Sequence, residues 1–228
     1  MENIAENLKK NRGRIMAAEQ EYNRPPGSVG LLAVSKTQPA EAIRLARQTG
    51  QLHFGENYVQ EALDKIKALP DPELIWHFIG PIQSNKTRLL AENFAWVHTV
   101  DRGRIARRLS EGRPVHLPPL NICIQVNISA EASKSGIDPA GTQLLANEII
   151  TLPQLKLRGL MVIPASSHEF DAQRQAFRQT RLLLEQLNQT GLQLDTLSMG
   201  MSDDLEAAVA EGSTVVRVGT AIFGARQT

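Results

Sequence analysis

Short apolar runs and helical periods alternate along the chain. The apolar runs are LLAVS (31–35), LHFG (52–55), LIWHFI (74–79), WVHTV (96–100), NICIQVNI (121–128), LRGLMVI (157–163), TLSM (196–199) and VVRVG (215–219), eight in all. Most lack polar alternation, the pattern of parallel strands buried on both faces. The first 22 residues read as a leading helix with Ile4, Leu8 and Ile15 on one face, broken by Arg24-Pro25-Pro26-Gly27-Ser28. A second period, 57–69, puts Val59, Ala62, Leu63 and Ile66 on one face behind an Asn57…Gln60 capping pair. A longer one, 170–189, turns Phe177, Leu184 and Leu187 inward. The last, 202–211, has Ser202 as N-cap, Asp203 and Asp204 in its first turn, and Leu205, Ala208 and Val209 inward. Eight strand–helix units in about 200 residues predict a (β/α)8 TIM barrel near its lower size limit. It carries an extra N-terminal helix, and a single domain covers 1–228. A doubly wound open sheet is the alternative; no GxGxxG follows the first strand, which weakens its dinucleotide-binding version.

Charge and composition then narrow the function. Lys and Arg number 25 against 24 Asp and Glu, a net +1, and aromatics make up 4%. That balance argues against phosphate neutralisation and base stacking, so no nucleic-acid partner is expected. The apolar runs fall far short of the roughly 20 residues that span a bilayer, and MENIAENLKKNRGR has no apolar leader core. A cytoplasmic protein without a membrane partner is expected. Cys123 is the single cysteine, set mid-strand between Ile122 and Ile124, and reads as an inert buried thiol. His53, His77 and His98 fall on consecutive strands, but with no HxH, HExxH or grouped Asp they read as satisfied core or rim groups, and no metal is expected. Arg102, Arg104, Arg107 and Arg108 read as the solvated face of the helix after the fourth strand.

In a barrel, chemistry gathers at the C-terminal strand ends. The first strand ends Ala33-Val34-Ser35-Lys36. A desolvated lysine there has a lowered pKa and a free amine suited to an imine; the ordinary alternative is a lysine snorkelling to solvent. Strand seven runs into Ser198-Met199-Gly200-Met201-Ser202, and strand eight into Arg217-Val218-Gly219-Thr220. Loops after these two strands commonly bind phosphate, and Ser202, Gly219 and Thr220 offer hydroxyls and close backbone N–H groups. Plain capping by Ser202 and a tight turn at Gly219 would explain them too. Asp203 and Asp204 oppose an anion unless both carboxylates turn away. An imine-forming lysine, a phosphate cup and an arginine on strand eight together suggest pyridoxal phosphate.

These segments, LLAVSKTQPAEAI, FGENYVQEALDK, WHFIGPIQSNK, NISAEASKSGI, LRGLMVIP and LSMGMSDDLEAAVAEGSTVVRVGTAIFGAR, span essentially the whole chain. In them the sequence resembles the pyridoxal phosphate homeostasis proteins, which look like the barrel domain of alanine racemase standing alone. The resemblance implies pyridoxal 5′-phosphate held covalently on Lys36, with Arg217 as partner of the pyridine nitrogen. It implies Ser202, Gly219 and Thr220 as phosphate ligands, with Ser198 and Met199 lining that side. Asn57 would lie near the ring face or its 3-hydroxyl, although N-capping explains it equally. Lys134 would reach the mouth or be a solvated loop lysine. Tyr58 would approach the cofactor or pack at a helix start.

The arginine bears on mechanism. Guanidinium cannot take a proton, so a ring nitrogen facing it stays neutral and stabilises a carbanion only weakly. Racemases of this fold add a tyrosine from a C-terminal β domain, whereas this chain ends at Thr228 with Tyr22 and Tyr58 alone. The resemblance therefore implies an intracellular cofactor carrier or regulator, a monomer without substantial catalysis, with apoenzymes that use the cofactor as recipients. The alternatives are a small amino-acid racemase using the same cofactor, or a cofactor-free Schiff-base aldolase acting through Lys36.

Overall fold

The computed structural model describes residues 3–129 and 135–224, so Lys134 lies outside the described residues. Eight strands, β1 (Gly30–Val34), β2 (His53–Glu56), β3 (Ile75–Phe78), β4 (Trp96–Val100), β5 (Leu120–Gln125), β6 (Leu155–Met161), β7 (Thr196–Ser198) and β8 (Val215–Val218), pair in sequence order into a closed barrel. Every pairing is parallel, and β1 closes on β8 with Leu32 opposite Arg217 and Ala33 opposite Val218. The open doubly wound sheet is thereby excluded. Gly159 makes the β6–β7 approach, since a Cβ there would sit 1.8 Å from the Thr196 carbonyl oxygen.

The helices are α1 (Ile4–Glu21), α2 (Ala40–Gln48), α3 (Val59–Ala68), α4 (Thr87–Asn93), α5 (Gly103–Gly112), α6 (Thr142–Ile149), α7 (Phe170–Gln189), α8 (Leu205–Ala210) and α9 (Thr220–Phe223). None is long and apolar enough to cross a membrane among the described residues. The outer layer of the core lies between sheet and helices, with Phe54, Phe78, Phe94 and Phe177 wholly buried there. The extra helix α1 is stitched to the end of the chain by Asn7 and Asn11, whose side-chain amides donate to the carbonyls of Ile222 and Ala221. At its other end the Glu19 carboxylate accepts the backbone N–H groups of Gly27 and Val29, which leads the chain into β1.

Two helix starts differ from the sequence expectation. The helix α8 begins at Leu205 with Asp204 at the cap position, so Ser202 is not its N-cap and sits in the preceding turn. The Asp204 carboxylate turns back onto the Met201 N–H (2.5 Å), which leaves the Ser202 amide outside the helix. The helix α3 begins at Val59 without a side-chain cap, so neither Asn57 nor Gln60 caps it. Its buried face is Ala62 and Lys65, while Leu63 and Ile66 are only half-buried. A lysine turns inward because a buried carboxylate, Glu56, waits for it.

Candidate functional site

The expected imine-forming lysine follows the last residues of β1. Strand alternation places Ala33 and Ser35 on one side of the sheet and Val34 and Lys36 on the other. Thr37 then takes a left-handed conformation (φ 64°), a costly one for a β-branched residue, and ends the extended backbone right after Lys36. A charged cluster holds this turn from the helix side. The Lys65 ammonium donates to the Ser35 carbonyl (2.7 Å), to Glu56 (2.8 Å) and to Glu61 (2.5 Å). The Ser35 hydroxyl donates to Glu56 (2.6 Å), and the Thr37 N–H donates to Glu61 (2.6 Å). Burial pushes the Glu56 carboxyl pKa upward, against the pull of Lys65. Sequence reading passed over this cluster. Its one signal was Lys65 standing three residues after Ala62, on the apolar face of the period.

Arg217 points from β8 toward β7. Its guanidinium donates to the carbonyl (2.5 Å) and hydroxyl (2.9 Å) of Ser198 and to the Val162 carbonyl (2.9 Å). Among the described residues three of the five guanidinium N–H groups are thus engaged, which leaves two donors. Burial lowers its pKa to about 10, so it stays a cation at neutral pH. Behind Ser198 the three strand histidines form a hydrogen-bonded row through the barrel interior. Ser198 Oγ meets His98 Nδ1 (2.8 Å), His98 Nε2 meets His77 Nδ1 (2.9 Å), and His77 Nε2 meets His53 Nδ1 (2.9 Å). Burial and then Arg217 lower the His98 pKa to about 3, and burial takes His77 well below its ordinary value. The histidines satisfy one another, and no cluster among the described residues can hold a metal ion. Cys123 is buried, which pushes its thiol up to about 12 and makes it inert.

The loops after β7 and β8 are joined where the Arg217 N–H donates to the Gly200 carbonyl (2.9 Å), with Gly200 at φ 94°. Among the described residues, the backbone N–H groups of Ser202, Gly219 and Thr220 have no hydrogen-bond partner. A Cβ on Gly219 would lie 3.2 Å from the Val34 carbonyl oxygen, so this loop lies tight against the end of β1. Of the two acids doubted beside an anion, Asp204 is turned to Met201, and Asp203 is exposed. Met199 alternates away from Ser198; it is buried, its N–H is taken by Val215 and its carbonyl by Ser213. It can back this wall only by packing.

Asn57 follows β2, one strand beyond Lys36. The Gly80 loop lies tight against its backbone, for a Cβ on Gly80 would come 2.1 Å from the Asn57 carbonyl oxygen. The Asn57 Oδ1 is buried without a partner among the described residues, an orphan acceptor that plain capping would have used. Tyr58 is 54% exposed, so it does not pack at the helix start. Lys36, Ser198, Arg217, Gly219 and Thr220 thus share the β7–β8–β1 sector, with Asn57 at its flank. A buried cation, an orphan carbonyl acceptor, free backbone N–H groups and a strand-end amine form a donor set that fits a phosphorylated hydroxypyridine aldehyde.

This arrangement defines a barrel of the alanine racemase type, and the family model for the alanine racemase N-terminal domain matches residues 4–227. An alanine racemase from Clostridium difficile shares the fold (TM-score 0.78, 13% identity), covering 100% of this chain and 58% of that one. The nearer likeness is to shorter proteins. A pyridoxal phosphate homeostasis protein of Pseudomonas aeruginosa is 61% identical over 99% of this chain and 97% of its own length, and that of Escherichia coli is 55% identical over 99% and 98%. PipY of Synechococcus elongatus, solved with PLP bound, is 41% identical with a TM-score of 0.84, covering 97% of this chain and all of that one. The chain belongs to the pyridoxal phosphate homeostasis protein family.

Proposed function

We propose that this protein binds pyridoxal 5′-phosphate at the C-terminal mouth of its barrel, covalently on Lys36, and serves in the homeostasis of that cofactor. The observation that carries this reading is the pairing of β1 with β8, which sets Arg217 opposite Leu32 on the strand that runs into Lys36, with a buried guanidinium that keeps two donors unengaged among the described residues. When bound, the cofactor supplies an aldehyde that a primary amine can capture. Arg217 orients the ring by donating toward its nitrogen, and as a permanent cation it accepts no proton from it. The N–H groups of Ser202, Gly219 and Thr220, together with the Ser202 and Thr220 hydroxyls, receive the phosphate, with Ser198 holding Arg217 and Met199 packed behind. Asn57 Oδ1 accepts a hydroxyl hydrogen at the ring edge.

The same geometry favours a carrier or regulator over an enzyme. A ring nitrogen kept unprotonated is a weak electron sink. Two-face proton transfer also needs a second positioned group. Tyr22 stacks on Phe170 at α7, and Tyr58 is exposed, with no partner that would aim it among the described residues. We accordingly place the protein in the cytoplasm as a monomer that passes the cofactor to apoenzymes. The test is to titrate the purified protein with pyridoxal phosphate and follow visible absorption. A band that borohydride bleaches, and that Lys36→Ala lacks while staying folded, is the expected result; an unchanged band in that variant defeats the assignment. Incubation of the loaded protein with L-alanine in deuterated water should give no multiple-turnover α-proton exchange, and exchange lost in Lys36→Ala would make the protein a racemase instead.

A further inference from the structure

The histidine row joins two regions of the barrel. At one end is the Ser198–Arg217 pair; at the other His53, exposed at the start of β2, lines a cavity of 1160 Å³ beneath α1, with Arg12, Glu19, Arg24, Leu31 and Gln51 among its walls. We propose that His53, His77, His98 and Ser198 form a tautomeric relay of one polarity, set by Arg217, that couples the site at the barrel mouth to this cavity at the opposite face.

Donor counting dictates the polarity. Arg217 can only donate, so at Ser198 Oγ it occupies a lone pair. The one acceptor that the Ser198 hydroxyl contacts among the described residues is His98 Nδ1, so the hydroxyl hydrogen points there. His98 must then carry its hydrogen on Nε2 and donate to His77 Nδ1. His77, by the same reasoning, carries Nε2–H and donates to His53 Nδ1, which leaves His53 with Nε2–H. The reverse polarity strands a buried hydroxyl hydrogen beside an arginine and a histidine that both donate. That disfavours it by roughly ten- to a hundredfold. Burial holds His77 and His98 neutral and lowers the pKa of His53, so tautomer choice is the freedom that remains to the two inner rings. His53 therefore presents a donor, and a hydrogen-bond acceptor bound in the cavity reinforces the polarity that steadies Ser198 and Arg217. The coupling is reciprocal: whatever displaces the Ser198 hydroxyl from His98 alters what His53 presents.

The test is long-range ¹⁵N–¹H correlation NMR on the full chain, labelled uniformly with ¹⁵N. The wild-type protein should show the Nε2–H tautomer at His98, His77 and His53. Ser198→Ala removes the donor that sets the row. The Nε2–H to Nδ1–H ratio should then drop about tenfold at His98 and shift alike at His53, three hydrogen bonds away. His77→Phe, which keeps a ring stacked on Trp96, should abolish the response of His53 to Ser198→Ala. An Nδ1–H tautomer at His98 in the wild type overturns the proposal. So does a His53 that stays unchanged while His98 responds to Ser198→Ala. Should His77→Phe fail to fold, those two readings decide alone. None of them depends on pyridoxal phosphate binding.

Discussion

The two basic side chains at the barrel mouth are held in opposite ways. Behind Lys36 stands a charged cluster, Glu56–Lys65–Glu61, on the helix side of the sheet, with ion pairs of 2.8 and 2.5 Å. Behind Arg217 stands a row of imidazoles inside the barrel; among the described residues no carboxylate hydrogen-bonds the guanidinium, and Asp204 acts on it only through space. The difference follows from what each position has to hold. The Lys36 turn includes a left-handed threonine, and charge-assisted bonds to the Ser35 carbonyl and the Thr37 amide are strong enough to keep it. Arg217 needs its orientation fixed without losing its charge. Carbonyls and a hydroxyl achieve that, whereas a buried carboxylate partner would cancel the field a ligand is to meet.

Breaking the charged support should have the largest effect. Lys65→Met leaves Glu56 buried at 0% exposure without its cation, a loss of about 3–5 kcal/mol in folding stability. Denaturant unfolding measures this, and a change below about 1 kcal/mol would mean that the cluster is not what holds the turn. Next comes the opening between the two supports. Ser202→Ala and Thr220→Ala should each cost about 1.5–3 kcal/mol in affinity for pyridoxal phosphate through lost hydrogen bonds to a charged group, and little for pyridoxal. Equal weakening of both ligands would place the phosphate elsewhere.

The neutral support should have no effect at neutral pH and show itself only as the pH falls. His98 has an ordinary pKa near 6.5 when unfolded and about 3 when folded. As pH falls below 6.5 the unfolded state takes up the proton first, so stability is full above that value and declines toward pH 3. The decline is about 1.4 kcal/mol per pH unit from this residue. His98→Gln can accept from Ser198 and donate to His77 without titrating, so its stability should fall less steeply over the same range. Identical slopes in variant and wild type would show that His98 is not the neutral, buried link. Glu56 acts in the opposite sense. Its raised pKa adds stability at acid pH that is lost as pH rises through its folded value, so Glu56→Gln should steepen the acid limb.

The sequence by itself determined the barrel, because eight apolar runs without alternation have few other ways to be buried on both faces, and α7 lies at 170–189 as its period required. It also placed Lys36, Ser198, Arg217, Gly219 and Thr220 at strand ends, since position along a strand is read directly from the run that ends there. Tertiary structure decided how these groups are supported. Asn57 and Ser202 proved not to be caps, because capping depends on backbone angles and on competing partners such as Asp204. The row from His53 to Arg217 crosses from β2 to β8, and His98 and Ser198 are 100 residues apart in the chain. Each histidine taken singly reads as a satisfied core group. Only barrel closure, which brings β4 and β7 across one interior, turns them into one line of hydrogen bonds ending on the arginine.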